Sequence, residues 1–378
     1  MQTICVVAGE NSGDKHGAGL IHQFKKKNPS FLFFGIGGEK MKAEGVELLY
    51  PVSDLSVMGL FELISHLPRL KKIFDRIKKE VRARKPSAVL LIDSPDFNLR
   101  LARALKREAI PVLYYISPTV WAWRKGRLKT IKKFVDRMML IFPFEKAIYD
   151  ESGVEAVYVG HPLCESMDLT LSRKDFFRKY GLPSDRKIIC IMPGSRMSEI
   201  KYHMPILMRA AQKMEESLTA ECLLLLAESL KEEDIRPYLP IGRIDLRILR
   251  EDRYEGMAYS DLILAACGTA NLEAALLGTP FIAFYRISPG TYTLGLPFVK
   301  TRSYSIVNIL AGRTTVPELI QKKFTAENLL NEAQRILESH QIREEMLAQF
   351  ERVRAMLGTK KASECAAAEL EKLTGNRT

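Results

Sequence analysis

The sequence predicts an α/β protein of two doubly wound domains facing each other, followed by C-terminal helices. Three observations carry this. Short apolar runs ending in Gly, Ser or Asp alternate with stretches of helical periodicity. The series that opens at Ile4 begins afresh after the polar stretch 164–174. One stretch, 262–285, holds a complete strand–helix–strand unit: an apolar run to Cys267, good helix formers from Ala270 to Leu277, then Gly278 and a second apolar run from Pro280. The domains are therefore expected at 1–164 and 165–340. Helices over 341–378 are expected to pack back on the first domain.

In chain order, residues 4–8 read as a buried strand leading into GENSGD and a helix through Ala18, Leu20, Ile21 and Phe24. The loop lacks the Lys of a P-loop and the spacing of GxGxxG. Ser12 and Gly13 read as substrate-facing, with a plain connecting turn as the rival. Residues 31–38 form the next strand. From 57 to 81, Leu60, Leu63, Ile64, Leu67, Leu70, Phe74, Ile77 and Val81 recur at helical spacing, and Pro68 is expected to split two helices. The opposite face carries nine Lys or Arg against Asp75 and Glu80. Such a helix suits a membrane interface. It equally suits the core-packed helix of a basic protein.

A strand at 88–92 delivers IDSPDFN, with Asp93 at its tip and Asp96 placed to cap the next helix. Open α/β sheets collect their chemistry at such strand ends. A strand at 110–116 precedes SPTVWAWR, where Trp121 and Trp123 stand among Arg124 and further cations; this mixture fits a membrane interface or a nucleic-acid groove. Strands at 138–142 and 156–159 complete the first series. The second runs through 187–192, Pro193-Gly194-Ser195-Arg196, 220–227, 244–249 and the 262–285 unit, and ends in helices from Thr325 to Leu373.

The chain has 378 residues and a net charge of +12. That charge suggests a nucleic acid, an anionic membrane surface or a phosphorylated substrate. The six Cys and six His show no metal-ligand spacing, and no apolar run could span a bilayer. Met1 leads straight into a strand, so a cytosolic location is expected. At 268–273, Thr269 reads as an N-cap, and the helix behind it would attract phosphates. Glu273 would either accept bonds from a ribose or be a solvated helix residue.

Several motifs together resemble the GT-B glycosyltransferases, built of two Rossmann-like domains, and within them the lipid-A-disaccharide synthase family. They are VAGENSGD (7–14), VMGLFE (57–62), IDSPDFN (92–98), SPTVWAWR (117–124), FPFEK (142–146), VGHPL (159–163), PGSR (193–196), GTANLEA (268–274) and NILAGR (308–313). SPTVWAWR is nearly diagnostic; PGSR and GT…E alone would mark only a sugar-nucleotide enzyme. The resemblance implies an inverting transfer of the acylated sugar of UDP-2,3-diacylglucosamine to the 6-hydroxyl of 2,3-diacylglucosamine 1-phosphate (lipid X). The products would be a β(1→6) disaccharide and UDP. It puts UDP on Gly194, Ser195, Arg196, Gly268, Thr269, Glu273 and Asn308. The base would be Asp93, then Asp96, then Glu10. Acceptor and lipid contacts would come from Ser12, Gly13, Met58, Phe61, Trp121, Trp123 and Arg124. No DxD pair occurs, so neither metal nor cofactor is expected; the enzyme would sit peripherally on the inner membrane, with a homodimer left open. A UDP-sugar 2-epimerase is the rival enzyme. A nucleic-acid-binding protein is the rival outside enzymes; the basic residues accompany an apolar stripe rather than a nucleic-acid module, so no nucleic acid is expected.

Overall fold

A computed structural model describes residues 2–55, 60–122, 125–239, 246–295, 301 and 303–375, without the side chains of 60–66 and 294–295. Met58, Trp123 and Arg124 lie outside the described residues, as does the side chain of Phe61. The chain divides into two units: Met1–Glu165 with Leu357–Thr378, and Ser166–Met356.

The first unit is a seven-stranded, all-parallel sheet. Its strands are β1 (Thr3–Ala8), β2 (Leu32–Gly37), β3 (Val46–Pro51), β4 (Ala88–Ile92), β5 (Val112–Tyr115), β6 (Arg137–Leu140) and β7 (Ala156–Tyr158), in the order β3-β2-β1-β4-β5-β6-β7. The centre of the sheet is apolar on both faces because helices cover both. One face of β1 and β4 packs Cys5, Val7, Val89 and Leu91 against Ile73, Ile77 and Val81. The other packs Ile4, Val6, Ala88 and Leu90 against Leu20, Phe24, Ala366 and Leu370. The last two residues belong to the C-terminal helix Ala362–Gly375. The preceding helix, His340–Leu357, lies in the second unit up to Met356, so the return to the first unit begins at Leu357 rather than near 341.

Leu60–Arg84 is one continuous helix with Pro68 inside it, where two were expected. Proline removes one backbone bond and costs about 3 kcal/mol in a helix interior. Burial of Ile73, Ile77 and Val81 in the core offsets that loss. The apolar stripe of the helix's C-terminal half is therefore core rather than membrane-facing, while Leu67 is exposed.

The second unit holds β8 (Lys187–Met192), β9 (Ala220–Leu225), β10 (Leu246–Leu249), β11 (Leu262–Ala266), β12 (Phe281–Tyr285) and β13 (Glu318–Ile320), all parallel, in the order β10-β9-β8-β11-β12-β13. In each sheet the winding reverses once, between β1 and β4 and between β8 and β11. Loops diverge at such a reversal and leave a crevice at the carboxyl ends of the strands. GENSGD and IDSPDFN meet at the first reversal; PGSR and Gly268-Thr269 stand at the second. Among the described residues, no helix is long and apolar enough to cross a membrane.

Candidate functional site

At the first reversal the two loops touch. A Cβ on Gly9 would lie 2.0 Å from that of Ser94, so only glycine permits the approach. Asp93 and Ser94 both hold left-handed backbone, φ 50° and 45°. Two bonds to the Asp93 carbonyl keep this unfavourable turn in place: the Tyr114 hydroxyl donates to it at 2.5 Å and Asn98 Nδ2 at 2.8 Å. The strain fixes the Asp93 carboxyl at the strand tip. Burial, aided by the charge of Glu10, raises it to about 6. Glu10 is the exposed N-cap residue of the helix Asn11–Lys27 and makes no side-chain capping bond.

The other first-unit candidates fare differently. Asp96 does not cap its helix: Ser94 holds the N-cap position, and exposed Asp96 pairs with Arg127 at 2.7 Å. Ser12 is exposed, while Gly13 is buried against Ala8 and Ile92, a packing position. Asp14 of the same motif is structural, accepting the backbone N–H groups of Gly38, Lys40 and Met41. Burial lowers His16 to about 4 and His161 to about 3, so both imidazoles are neutral and weakly basic at pH 7. Trp121 is half-buried, its ring edge-on to Phe144 at 5.4 Å, and Phe144 stacks on Phe142. It belongs to a packed aromatic cluster rather than lying free on a surface. Beneath this cluster Glu145 is 1% exposed, and burial raises its carboxyl to about 8.

At the second reversal, PGSR is clamped from below. Glu199 is buried, and its carboxylate accepts Ser195 N–H at 2.9 Å, Arg196 N–H at 3.2 Å and the Tyr285 hydroxyl at 3.1 Å. Gly194, φ 118°, leaves room for it; a Cβ there would lie 2.4 Å from Glu199 Oε2. Buried His203 joins the Pro193 carbonyl, 2.6 Å, to the backbone of Arg286, 3.0 Å. Ser229 donates to the Ser195 carbonyl at 2.8 Å. The Arg196 guanidinium is 55% exposed, with Glu199 Oε1 at 3.4 Å.

The N-cap of the helix Thr269–Leu277 is Gly268, not Thr269. Its φ of 163° is extended backbone, and the helix start has no side-chain cap. Gly268 and Thr269 are exposed. An uncapped helix start leaves amide N–H groups open to an anion. Glu273 is 7% exposed, and its Oε2 accepts a bond from Arg253. Asn308 is spent: Nδ2 donates to Val316 O and Glu318 Oε1, while Oδ1 accepts Thr315 and Val316 N–H. An amide with all four bonds made has none left for a diphosphate.

A family model described as lipid-A-disaccharide synthetase matches residues 4–371. The chain belongs to that family. It is 38% identical over 375 residues to the lipid-A-disaccharide synthase of Geobacter sulfurreducens, covering 99% of this chain and 98% of that one. It is 40% identical over 368 residues to the enzyme of Syntrophus aciditrophicus, covering 96% of each. Among solved structures, UDP-GlcNAc 2-epimerase from Neisseria meningitidis, bound to UDP-GlcNAc, superposes with a TM-score of 0.64 at 14% identity, covering 98% of this chain and 100% of that one. CalG4, the calicheamicin glycosyltransferase, gives 0.64 at 13%, covering 100% and 99%. These distant likenesses show the fold, the GT-B architecture of paired parallel-sheet α/β domains. Family membership makes the chain a UDP-sugar-dependent glycosyltransferase of lipid A disaccharide synthesis.

Within this family frame, several residues of the sites went unread in the sequence, Glu199, Tyr114 and Arg253 among them. Glu199 carried a signal, an acid at N3 of a helix, the capping-box position. Tyr114 and Arg253 carried none, since they reach their partners only through the tertiary fold.

Proposed function

We propose that the chain joins UDP-2,3-diacylglucosamine to 2,3-diacylglucosamine 1-phosphate, inverting the anomeric carbon to give the β(1→6) disaccharide and UDP. The observation that carries the mechanism is the Asp93 carboxyl, held at a strand tip by a strained turn and tuned to about 6. A base of that strength is mostly ionised at pH 7 yet basic enough to take a proton in a transition state. Asp93 takes the proton of the acceptor's 6-hydroxyl as its oxygen attacks the anomeric carbon. The bond from that carbon to the diphosphate breaks, and the electron pair leaves with UDP. The exposed Arg196 guanidinium and the open amides at Gly268-Thr269 stabilise the charge on the leaving diphosphate, without a metal ion. Glu273 accepts from the ribose. Asp96, paired with Arg127, and Asn308, fully bonded, keep their neighbourhoods in shape.

The test is UDP release from the two substrates, with and without a chelator. Turnover unchanged by the chelator, and lowered about 100-fold or more in Arg196→Ala, is expected. Loss on chelation would overturn the metal-free reading.

The acylated substrates call for a peripheral position on an anionic membrane, the cytoplasmic face of the inner membrane in this reading. On the helix Leu60–Arg84, Arg69, Arg76, Arg82 and Arg84 are paired with acids. Lys71, Lys72 and Lys79 are exposed and make no ion pair among the described residues. Each is worth about 1 kcal/mol at an anionic surface. Changing all three to Glu is expected to cut sedimentation with anionic vesicles at least tenfold; unchanged sedimentation removes this face from the proposal.

A further inference from the structure

Glu273 presents an unusual arrangement for a residue meant to read a sugar. Its side chain is almost wholly buried, and an ionised carboxylate in such a place needs a countercharge. The countercharge is Arg253, the first residue of the short helix Arg253–Ala258, twenty positions upstream. Its guanidinium engages Oε2 alone. Among the described residues Oε1 makes no hydrogen bond, and it is not one of the buried polar atoms left unsatisfied. One oxygen is thus anchored, and the other keeps its acceptor capacity without being fully enclosed.

We infer that Arg253 is a positioning residue, setting the specificity of the nucleotide site for a ribose by pinning Glu273 so that Oε1 faces the sugar hydroxyls. The inference rests on the ribose reading of Glu273 given above. A free glutamate side chain samples several rotamers and pays rotamer entropy for each bond it makes. A guanidinium bonded to one oxygen restricts that freedom beforehand and balances the charge. Arg253 is held in turn on both sides of its own helix start. Asp252, before it, has left-handed backbone, φ 49°, and its carboxylate accepts from Lys179 at 2.6 Å and from the Tyr180 hydroxyl at 2.9 Å. Glu255, two residues on, is buried and accepts the backbone N–H groups of Thr170 and Leu171. The anchor is therefore tied to the segment 170–180, not left to a mobile loop.

The experiment compares dissociation constants for UDP and 2′-deoxy-UDP in the wild type, Glu273→Gln, Arg253→Met and Arg253→Gln. The wild type is expected to prefer UDP by about tenfold, the worth of one bond to a charged acceptor. In Arg253→Met the ratio falls toward one, with affinity for 2′-deoxy-UDP nearly unchanged, which a general loss of structure would not produce. Should Arg253→Met fail to fold, Arg253→Gln, which keeps a donor without the charge, is expected to lower the ratio at least threefold. A wild-type ratio in either folded Arg253 variant, with the ratio lost in Glu273→Gln, overturns the inference alone. A wild-type ratio in Glu273→Gln overturns the ribose reading beneath it.

Discussion

Replacing Asp93 with Asn is expected to lower kcat by about 100- to 10,000-fold, the range for loss of a positioned base, with UDP affinity unchanged. The amide keeps the size of the carboxyl and leaves the turn's backbone bonds in place, because Tyr114 and Asn98 bond the Asp93 carbonyl and not its side chain. The defect should therefore appear in the chemical step rather than in stability. A companion measurement tests the tuning. Activity of the wild type is expected to fall below about pH 6, as Asp93 takes up its proton. Glu10 is the second cause of that raised value, after burial, so Glu10→Gln should move the acid limb to lower pH while leaving the plateau close to wild type. Near-full turnover in Asp93→Asn would reassign the base; an unmoved limb in Glu10→Gln would separate the two carboxylates.

The second large effect concerns stability. Glu145 is held neutral by burial, its carboxyl raised to about 8, close to the hydroxyls of Ser117 and Tyr149, which bond each other at 2.7 Å. For an acid raised on folding, the contribution to stability is complete below the unfolded value near 4.5. It drains away as pH rises toward 8 and is gone above it. The loss between those limits is on the order of a few kcal/mol. Glu145→Gln keeps both an acceptor and a donor and never ionises. Its first unit is expected to match the wild type near pH 5 and to melt roughly 5–10 °C higher at pH 8.5. A melting difference independent of pH would mean that Glu145 is not the titrating group.

What the sequence could convey depended on how local the cause was. Asp93 and Arg196 were legible because the apolar run AVLLI ends directly at Asp93, and KIICIM ends at the Pro193-Gly194-Ser195 turn that leads to Arg196. The edge strand Val46–Pro51 went unseen, since it is only half-buried and its VELLYP pattern is neither continuous nor alternating. The last strand, Glu318–Ile320, is too short to leave a period. Pro68 misled because its cost is local while its compensation, Ile73 to Val81 against the sheet, is not. Asn308 looked available because nothing near it in sequence announces the backbone of Thr315 and Val316 that consumes its amide. Thr269 and Asp96 looked like caps by residue type, but each sits one or two places inside a helix already begun.

The helix Ala362–Gly375 lays Ala366 and Leu370 into the same apolar layer as Ile4, Val6 and Leu90. The helix Asn11–Lys27 covers only part of that face of the first sheet, and the rest is closed by a segment far down the chain. This unit therefore cannot complete its packing until that segment has been made. A nascent chain stopped near residue 165 would expose that face to chaperones, and adding the segment 357–375 as a separate peptide should rescue it.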